Sequence, residues 1–197
     1  MSFTDPGEVV LTGQNPYMIL FGGAEGPPTT LVSLWHVQFS PAGEGSALFV
    51  KSEVTDGLPR IYTDNIALAR FVQSELYANN AVPFGLFADP AIDAVDADFD
   101  RNGDARSFIT ERVVSATDDI SLSWYDFLPA FKGASAANPA GGAKHGHYAL
   151  YIPAKGMRLS INGAVASGAP RPRMRDGRET TSGGLAWAET WVRPVPA

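Results

Sequence analysis

The sequence predicts an all-β, mostly antiparallel protein of one domain (residues 1–197), built as an up-and-down β-barrel or a two-sheet sandwich. The 197 residues are enough for one domain with a sizeable core, and 45% of them are hydrophobic against 18% charged. The 20 glycines and 15 prolines predict many turns. Roughly nine or ten short apolar or alternating segments follow at hairpin spacing, which is typical of barrels and sandwiches.

The chain opens with a run of expected strands. The first ten or so residues are polar, include Pro6-Gly7 and are expected to form a loose terminus. Strands are expected at 17–22, 31–39 and 46–54, because each is a short apolar run bounded by glycine or proline. The connections between them are turn-sized, which favours a meander.

Residues 63–78 break the strand pattern and predict one amphipathic helix. Apolar residues recur there at intervals of three and four, so they share one stripe of the helix. Thr63 or Asp64 is expected to cap the free N–H groups of the first turn. A lone helix among strands is expected to pack across a barrel mouth or an open sheet face.

The second half of the chain returns to strands. Segments 91–99 and 105–116 flank Asn102-Gly103, a dipeptide that strongly favours a tight hairpin turn. Further strands are expected at 120–125, 147–153, 158–161 and 184–193, with turns at 153–156 and 162–163 and loops at 132–144 and 169–182.

One stretch of this half resembles the start of a calcium-binding loop. Asp98, Asp100 and Asn102 supply oxygen atoms at the first, third and fifth positions, and Gly103 stands at the sixth. The twelfth position, which needs a bidentate carboxylate, is Ile109. We therefore expect a hairpin turn decorated with acids.

Charge and composition exclude several classes of partner. The net charge of -6 argues against nucleic acid, which requires a basic face, and no apolar run reaches the ~20 residues of a membrane span. No cysteine is present, which excludes disulfides and thiolate chemistry. The first residues lack the pattern of a secretory signal, so a cytoplasmic location is expected. No dinucleotide or phosphate-loop fingerprint occurs, and no cofactor is expected.

The three histidines suggest a metal site. His145 and His147 are two residues apart and would share one face of a strand. His36, on another expected strand, would be a third ligand, leaving a position open for water as catalytic zinc requires. The alternative is that the pair lies exposed at the end of a glycine-rich loop.

Three glutamates are embedded in apolar strands and are candidate catalytic acids. Unpaired carboxylates at Glu53, Glu111 and Glu189 would have raised pKa values and would suit proton transfer. Each has a structural alternative, because it can instead face solvent or pair with an arginine. The candidate ligand-binding residues are Trp35, Tyr62, Trp124, Trp187 and Arg173.

Two segments carry a family resemblance. The sequences GGLAWAETW at 183–191 and ISLSW at 120–124 resemble bacterial lipocalin-like (calycin-like) proteins related to carotenoid hydratase and AttH-type proteins. This resemblance implies an up-and-down barrel whose interior holds an apolar small molecule. It also implies acid-catalysed hydration or cyclisation of terpenoid-like substrates, as in some relatives.

These observations lead to one expected function and two alternatives. We expect binding of a small, largely apolar molecule, terpenoid- or polyketide-like, in a barrel cavity, with cofactor-independent hydration, isomerisation or cyclisation. The first alternative is a metal-dependent enzyme that uses the three histidines. The second is a non-catalytic interaction module, such as a homodimer formed through sheet edges.

Overall fold

The computed structural model describes residues 7–80 and 83–194, and strands dominate them. One α-helix, α1 (Ile66–Phe71), continues as a π-helical segment, Val72–Tyr77. The strands are β1 (Glu8–Phe21), β2 (Pro28–Phe39), β3 (Gly45–Lys51), β4 (Arg60–Thr63), β5 (Ala94–Asp104), β6 (Phe108–Ser115), β7 (Asp119–Phe127), β8 (Phe131–Ser135), β9 (Gly146–Ile161), β10 (Ala164–Val165), β11 (Ala169–Pro170), β12 (Pro172–Arg175), β13 (Arg178–Thr181) and β14 (Gly184–Arg193). Short 3₁₀ turns occupy Glu53–Thr55, Gly85–Ala88 and Pro139–Gly141.

Nine strands close into a barrel, in the order β1-β2-β3-β4-β5-β6-β7-β9-β14 and back to β1. This arrangement confirms the all-β prediction and selects the barrel over the sandwich. Every neighbouring pair is antiparallel except β4 and β5, which run parallel. A parallel pair needs a crossover connection, and the helical region between β4 and β5 supplies it. The barrel is therefore mixed, with one interruption of the up-and-down order.

Side chains fill the barrel interior. Alternate residues of all nine strands point inward and pack as one buried cluster. Tyr62 and Trp124, two of the predicted ligand-binding residues, belong to this core. The Tyr62 hydroxyl donates to Asp118 Oδ2 at 2.8 Å, and the Trp124 indole N–H donates to the Tyr17 carbonyl at 2.9 Å. Their polar atoms are thus satisfied within the protein.

The helical region packs on the outer wall of the barrel and forms a second core. Leu68, Val72 and Leu76 are buried against outward-facing side chains of β1 to β4. Trp35 and Phe49 are the largest of these partners, each no more than 1% exposed. The helix was expected to pack either across a barrel mouth or on a sheet face, and it packs on the sheet face.

The helix begins later than predicted. Its N-cap is Asn65, whose side chain accepts a hydrogen bond from the backbone N–H of Leu68 at 3.1 Å. The two expected caps are engaged elsewhere, since Thr63 Oγ1 accepts from the N–H of Asn65 and Asp64 Oδ1 accepts from the N–H of Ser46. The prediction of a helix cap at Thr63 or Asp64 was wrong because both side chains bind other backbone groups.

The hairpin between β5 and β6 turns at residues 105–107, not at Asn102-Gly103. Asn102 and Gly103 remain paired with β6. The turn forms downstream because Asp104 Oδ1 accepts hydrogen bonds from the backbone N–H groups of Arg106 and Ser107 at 2.8 and 3.1 Å. A side chain that satisfies two turn amides outweighs the preference of the dipeptide.

Strand boundaries differ from the prediction at both ends of the chain. β1 begins at Glu8, so residues 8–10 of the expected loose terminus are strand, and residues 1–6 lie outside the described residues. β9 is continuous, and the expected turn at 153–156 is absent because this stretch pairs with both β14 and β7. The turn at 162–163 and the strand at 184–193 are confirmed.

Two expected loops contain strands. Residues 132–144 include most of β8, which pairs with β9, and the 3₁₀ turn that follows. Residues 169–182 include β11 and the β12–β13 hairpin, which pairs only with itself. Across the described residues, no helix is both long and apolar enough to cross a membrane.

Candidate functional site

A cavity of about 210 Å³ lies outside the barrel, between the wall formed by β1, β9 and β14 and the helical region. The β12–β13 hairpin forms its rim. Aromatic side chains dominate the lining, and a few polar groups converge on it, which is the usual composition of small-molecule sites. The aromatic residues are Tyr17, Trp35, Tyr77, Phe84, Tyr151 and Trp191, and the ionisable residues beside them are His147, Arg173, Arg175 and Glu189.

A β-bulge places Glu189 in this cavity. Trp187 packs against the barrel core, and in a regular strand Glu189 would share its face. The register shifts between Trp187 and Thr190, and Ala188 has a left-handed backbone with φ 47°. The extra residue turns Glu189 to the outer wall, where it pairs with Gly13 of β1.

The Glu189 carboxyl group is buried but not isolated. Its residue is 5% exposed, and burial raises its pKa from 4.5 to about 7. Two donors oppose this rise. The Trp191 indole N–H donates to Oε1 at 2.8 Å, and the Asn15 side chain also hydrogen-bonds the carboxyl group. Burial therefore keeps the pKa of Glu189 well above that of an exposed glutamate, in spite of the two donors.

A buried chain of hydrogen bonds fixes the orientation of Asn15. The Trp35 indole N–H donates to the Tyr77 hydroxyl at 3.1 Å, and Tyr77 donates to Ser33 Oγ at 2.8 Å. Ser33 then donates to Asn15 Oδ1 at 3.0 Å. Because the amide oxygen is occupied by Ser33, the amide nitrogen is the group that faces Glu189 as a donor. The chain thus positions a donor against the carboxyl group.

The opposite wall holds a histidine and a tyrosine. The His147 ring stacks on Trp191, with centroids 4.8 Å apart, and its Nε2 lies 2.8 Å from the Tyr151 hydroxyl. Its Nδ1 contacts Ser135 Oγ. Burial lowers the pKa of His147 and nearby Arg175 lowers it further, while burial raises the pKa of Tyr151 well above its usual range. At neutral pH the pair is an uncharged imidazole beside a protonated phenol.

Two arginines give the mouth of the cavity a positive charge. Arg173 and Arg175 occupy alternate positions of β12, which places both side chains on one face of the hairpin. The Arg175 guanidinium lies 5.8 Å from the centre of the Tyr151 ring. Both arginines are exposed. A cavity with a buried acid at its base and cations at its rim suits a ligand that carries an anionic group.

Four of the predicted site residues line this cavity, namely Trp35, His147, Arg173 and Glu189. Glu53 does not. It lies exposed in a 3₁₀ turn, where Ser52 Oγ donates to it at 2.8 Å and the backbone N–H of Ser167 donates to its other oxygen. Burial opposes the ionisation of Glu53, but these hydrogen bonds outweigh it and lower the pKa to about 2. Glu53 thus remains a carboxylate that anchors a loop.

Glu111 occupies a third location, inside the barrel near one mouth. Its side chain is fully buried and pairs with Arg101, whose guanidinium lies over the Trp187 ring at 5.1 Å. His36 Nε2 is 3.2 Å from the same carboxylate. The three candidate glutamates therefore do not face one space, and Trp187 lies with Glu111, away from Glu189.

The structure does not bring the three histidines together. His36 contacts Glu111 and Ser46, whereas His145 is buried between Glu75 and Asn80, at 3.0 and 3.1 Å. His147 belongs to the outer cavity. In the described parts of the chain, no group of three or more histidine, aspartate or glutamate side chains is arranged to hold a metal ion.

Several cavity residues were not predicted. Tyr17 and Tyr77 come from the expected strand 17–22 and helix 63–78, and Asn15 lies just before that strand. Nothing in the pattern marks their hydroxyl or amide groups as parts of one site. A usable signal existed for Arg175, which stands two residues after Arg173 on the same strand. Tyr151 and Trp191 follow His147 and Glu189 at even spacing, which also suggests a common face.

No family model, curated protein or solved structure matches this chain. The fold and the site define a closed nine-stranded β-barrel with a cavity on the outer face of its wall, and the Glu189 carboxyl group lies at the base of this cavity.

Proposed function

We propose that the protein binds a small ligand with a largely apolar body and an anionic group in the outer cavity, and that Glu189 exchanges a proton with it. The carrying observation is a buried carboxyl group at the base of an aromatic cavity, and burial raises the pKa of that group. The aromatic walls would hold the apolar body. Arg173 and Arg175 would hold the anionic group at the rim.

The pKa of Glu189 suits acid–base chemistry in either direction. A carboxyl group whose pKa is raised toward neutrality can serve both as a proton donor and as a proton acceptor near neutral pH. Tyr151, kept protonated by burial, offers a hydrogen-bond donor on the facing wall. Hydration, isomerisation or cyclisation of a terpenoid- or polyketide-like acid needs this pairing and no cofactor. We also propose kinship with lipocalin-like proteins, supported by the quoted segments and by barrel closure.

The binding part of this proposal is tested with 8-anilinonaphthalene-1-sulfonate, a fluorescent probe that is aromatic and anionic. Wild type is compared with the double variant Arg173→Ala/Arg175→Ala and with Arg106→Ala, an exposed arginine in the turn between β5 and β6. Each rim charge contributes about 0.5–1 kcal/mol, so the double variant should bind the probe roughly five- to thirtyfold more weakly. The control variant should bind within twofold of wild type. Equal affinity in all three proteins would refute the site.

The role of Glu189 is tested by the pH dependence of the same binding. Ionisation of Glu189 places a negative charge beneath the anionic probe, so affinity in wild type should fall as the pH rises through about 7. In Glu189→Gln this fall should disappear. A profile with the same midpoint in both proteins would assign the titration to another group and contradict the proposal.

A further inference from the structure

Most of the polar side chains that line the outer cavity are already engaged within the protein. The chain of hydrogen bonds that ends at Asn15 occupies the Tyr77 hydroxyl and leads to the Glu189 carboxyl group. On the facing wall, the Tyr151 hydroxyl lies 2.8 Å from Nε2 of His147. A ligand that binds any of these groups has to compete with a contact that the protein already makes.

The two hydroxyl groups at the base of the β12–β13 hairpin are engaged as well. Thr181 Oγ1 lies 2.8 Å from the carbonyl oxygen of Ala154, and Ser182 Oγ donates to the carbonyl oxygen of Ile19 at 2.6 Å. Both contacts attach the hairpin to the barrel wall. These hydroxyl groups therefore anchor the rim and are not free to bind a ligand.

The Tyr17 hydroxyl differs from all of these groups. Its ring is half-buried, packs against the second core and lines the cavity, yet the hydroxyl makes no hydrogen bond within residues 7–80 and 83–194. The oxygen is not one of the fully buried unpaired polar atoms in this part of the chain, so it keeps accessible surface. A ligand in the cavity can therefore reach the Tyr17 hydroxyl without displacing a protein partner.

The surroundings of Tyr17 make this hydroxyl a fixed hydrogen-bond donor. The Trp124 indole N–H donates to the Tyr17 carbonyl at 2.9 Å and so holds the backbone of this residue from inside the barrel. Burial raises the pKa of Tyr17 to about 12, and the charge of Glu189 adds to the rise, so the hydroxyl is protonated at neutral pH. Arg173 and Arg175 oppose the rise. The hydroxyl thus interacts electrostatically with both the buried acid and the rim cations.

A free donor beside two cations suits an oxyanion. The guanidinium groups of Arg173 and Arg175 are exposed, and they attract an anion from a distance without fixing its position. A hydroxyl donor requires an acceptor atom in a defined direction, and its hydrogen bond is stronger when that acceptor carries a charge. The Tyr17 hydroxyl therefore supplies the direction that the rim charges lack.

We propose that Tyr17 is a specificity-determining residue of the outer cavity, whose hydroxyl donates a hydrogen bond to an oxygen atom of the ligand's anionic group. This role rests on the function proposed for the cavity. A ligand with the same apolar body but without an oxyanion lacks this bond. Tyr17 thus discriminates between organic acids and neutral molecules of the same shape.

The test compares two fluorescent probes that share one aromatic body. 8-Anilinonaphthalene-1-sulfonate carries a sulfonate group, and N-phenyl-1-naphthylamine lacks it. Tyr17→Phe removes only the hydroxyl group and should bind the sulfonate probe about five- to tenfold more weakly than wild type. Its affinity for the neutral probe should stay within twofold of wild type. Tyr125→Phe, at an exposed tyrosine of β7, is the matched control and should bind both probes like wild type.

Stability separates a role in binding from a role in folding. Because the Tyr17 hydroxyl has no hydrogen-bond partner in the described parts of the chain, Tyr17→Phe should have the same urea denaturation midpoint as wild type. Tyr77→Phe should denature at a lower urea concentration, since the Tyr77 hydroxyl accepts from Trp35 and donates to Ser33.

Three results would overturn the role of Tyr17. Unchanged affinity of Tyr17→Phe for the sulfonate probe would show that the anionic group does not bind the hydroxyl. An equal loss for both probes would show that the hydroxyl shapes the cavity without recognising charge. A lowered denaturation midpoint would show that it has a structural partner. If Arg173→Ala/Arg175→Ala weakens the sulfonate probe and Tyr17→Phe does not, only the role of Tyr17 fails; if neither variant weakens it, the proposed function fails too.

Discussion

Replacing Glu189 by glutamine should remove a specific pH dependence of stability. The pKa of Glu189 is raised in the folded protein from 4.5 to about 7, because burial disfavours the carboxylate. A group with a raised folded pKa contributes stability that is fully present below its unfolded pKa and lost as the pH rises through the folded value. For Glu189 the loss should therefore begin near pH 4.5 and level off above about pH 7.

The magnitude follows from the difference between the two pKa values. Each pKa unit corresponds to about 1.4 kcal/mol, so the shift from 4.5 to about 7 corresponds to about 3 kcal/mol. Glutamine does not ionise, and Glu189→Gln should lack this loss. The difference in unfolding free energy between variant and wild type should thus move by about 3 kcal/mol in favour of the variant between pH 4 and pH 8.

The measurement is urea denaturation of both proteins at half-unit pH steps, followed by far-ultraviolet circular dichroism. The quantity to compare is how the difference in unfolding free energy between variant and wild type changes with pH. The substitution also changes stability by an amount that does not depend on pH, through the donors Trp191 and Asn15. Glu25→Gln, in the exposed turn between β1 and β2, is the matched control and should give a flat difference. If the difference in unfolding free energy between Glu189→Gln and wild type changes by less than about 0.5 kcal/mol between pH 4 and pH 8, the burial and the raised pKa of Glu189 are refuted.

Two further substitutions test the packing around the site. Tyr77→Phe should reduce the free energy of unfolding by about 1–3 kcal/mol, because it leaves the buried indole N–H of Trp35 without an acceptor. Tyr125→Phe, at an exposed tyrosine, should have almost no effect. Equal losses in urea denaturation would contradict the buried chain. His145→Ala should speed amide hydrogen exchange in residues 136–144. His145 Nε2 lies 3.0 Å from a carboxylate oxygen of Glu75, and this contact ties the segment to the helical region. Unchanged exchange would show that other contacts hold the segment.

Much of the fold could be predicted because its signals are local. Strand positions follow from short apolar runs between turn residues, and the closing strand at 184–193 was placed correctly. The errors arose where a distant partner decides the structure. β9 continues through 153–156 because β14 and β7 pair with it there, and neither partner is visible in the local pattern. Circular closure likewise depends on pairing between the two ends of the chain.

The site could be predicted only in part, because strand register is not visible in the local sequence pattern. Glu189 and Arg173 stand out as polar residues in unusual surroundings, and both line the outer cavity. Strand periodicity places Trp187 and Glu189 on one face, but the left-handed backbone of Ala188 separates them. A bulge at a non-glycine residue leaves no mark in the sequence. Glu53, Glu111 and Glu189 lie in three different places, because the face to which each side chain points depends on strand register, which the sequence pattern does not reveal.

The bulge at Ala188 also determines to which side of the barrel wall the side chains of β14 point. Trp187 supports the guanidinium of Arg101 at the barrel mouth, and Glu189, two residues later, forms the base of the outer cavity. β14 thus places Trp187 inside the barrel and Glu189 outside it. A regular strand that kept Ala188 would direct Glu189 into the apolar interior, on the same face as Trp187. The bulge, as much as the composition of the strand, therefore decides on which side of the wall the acid lies.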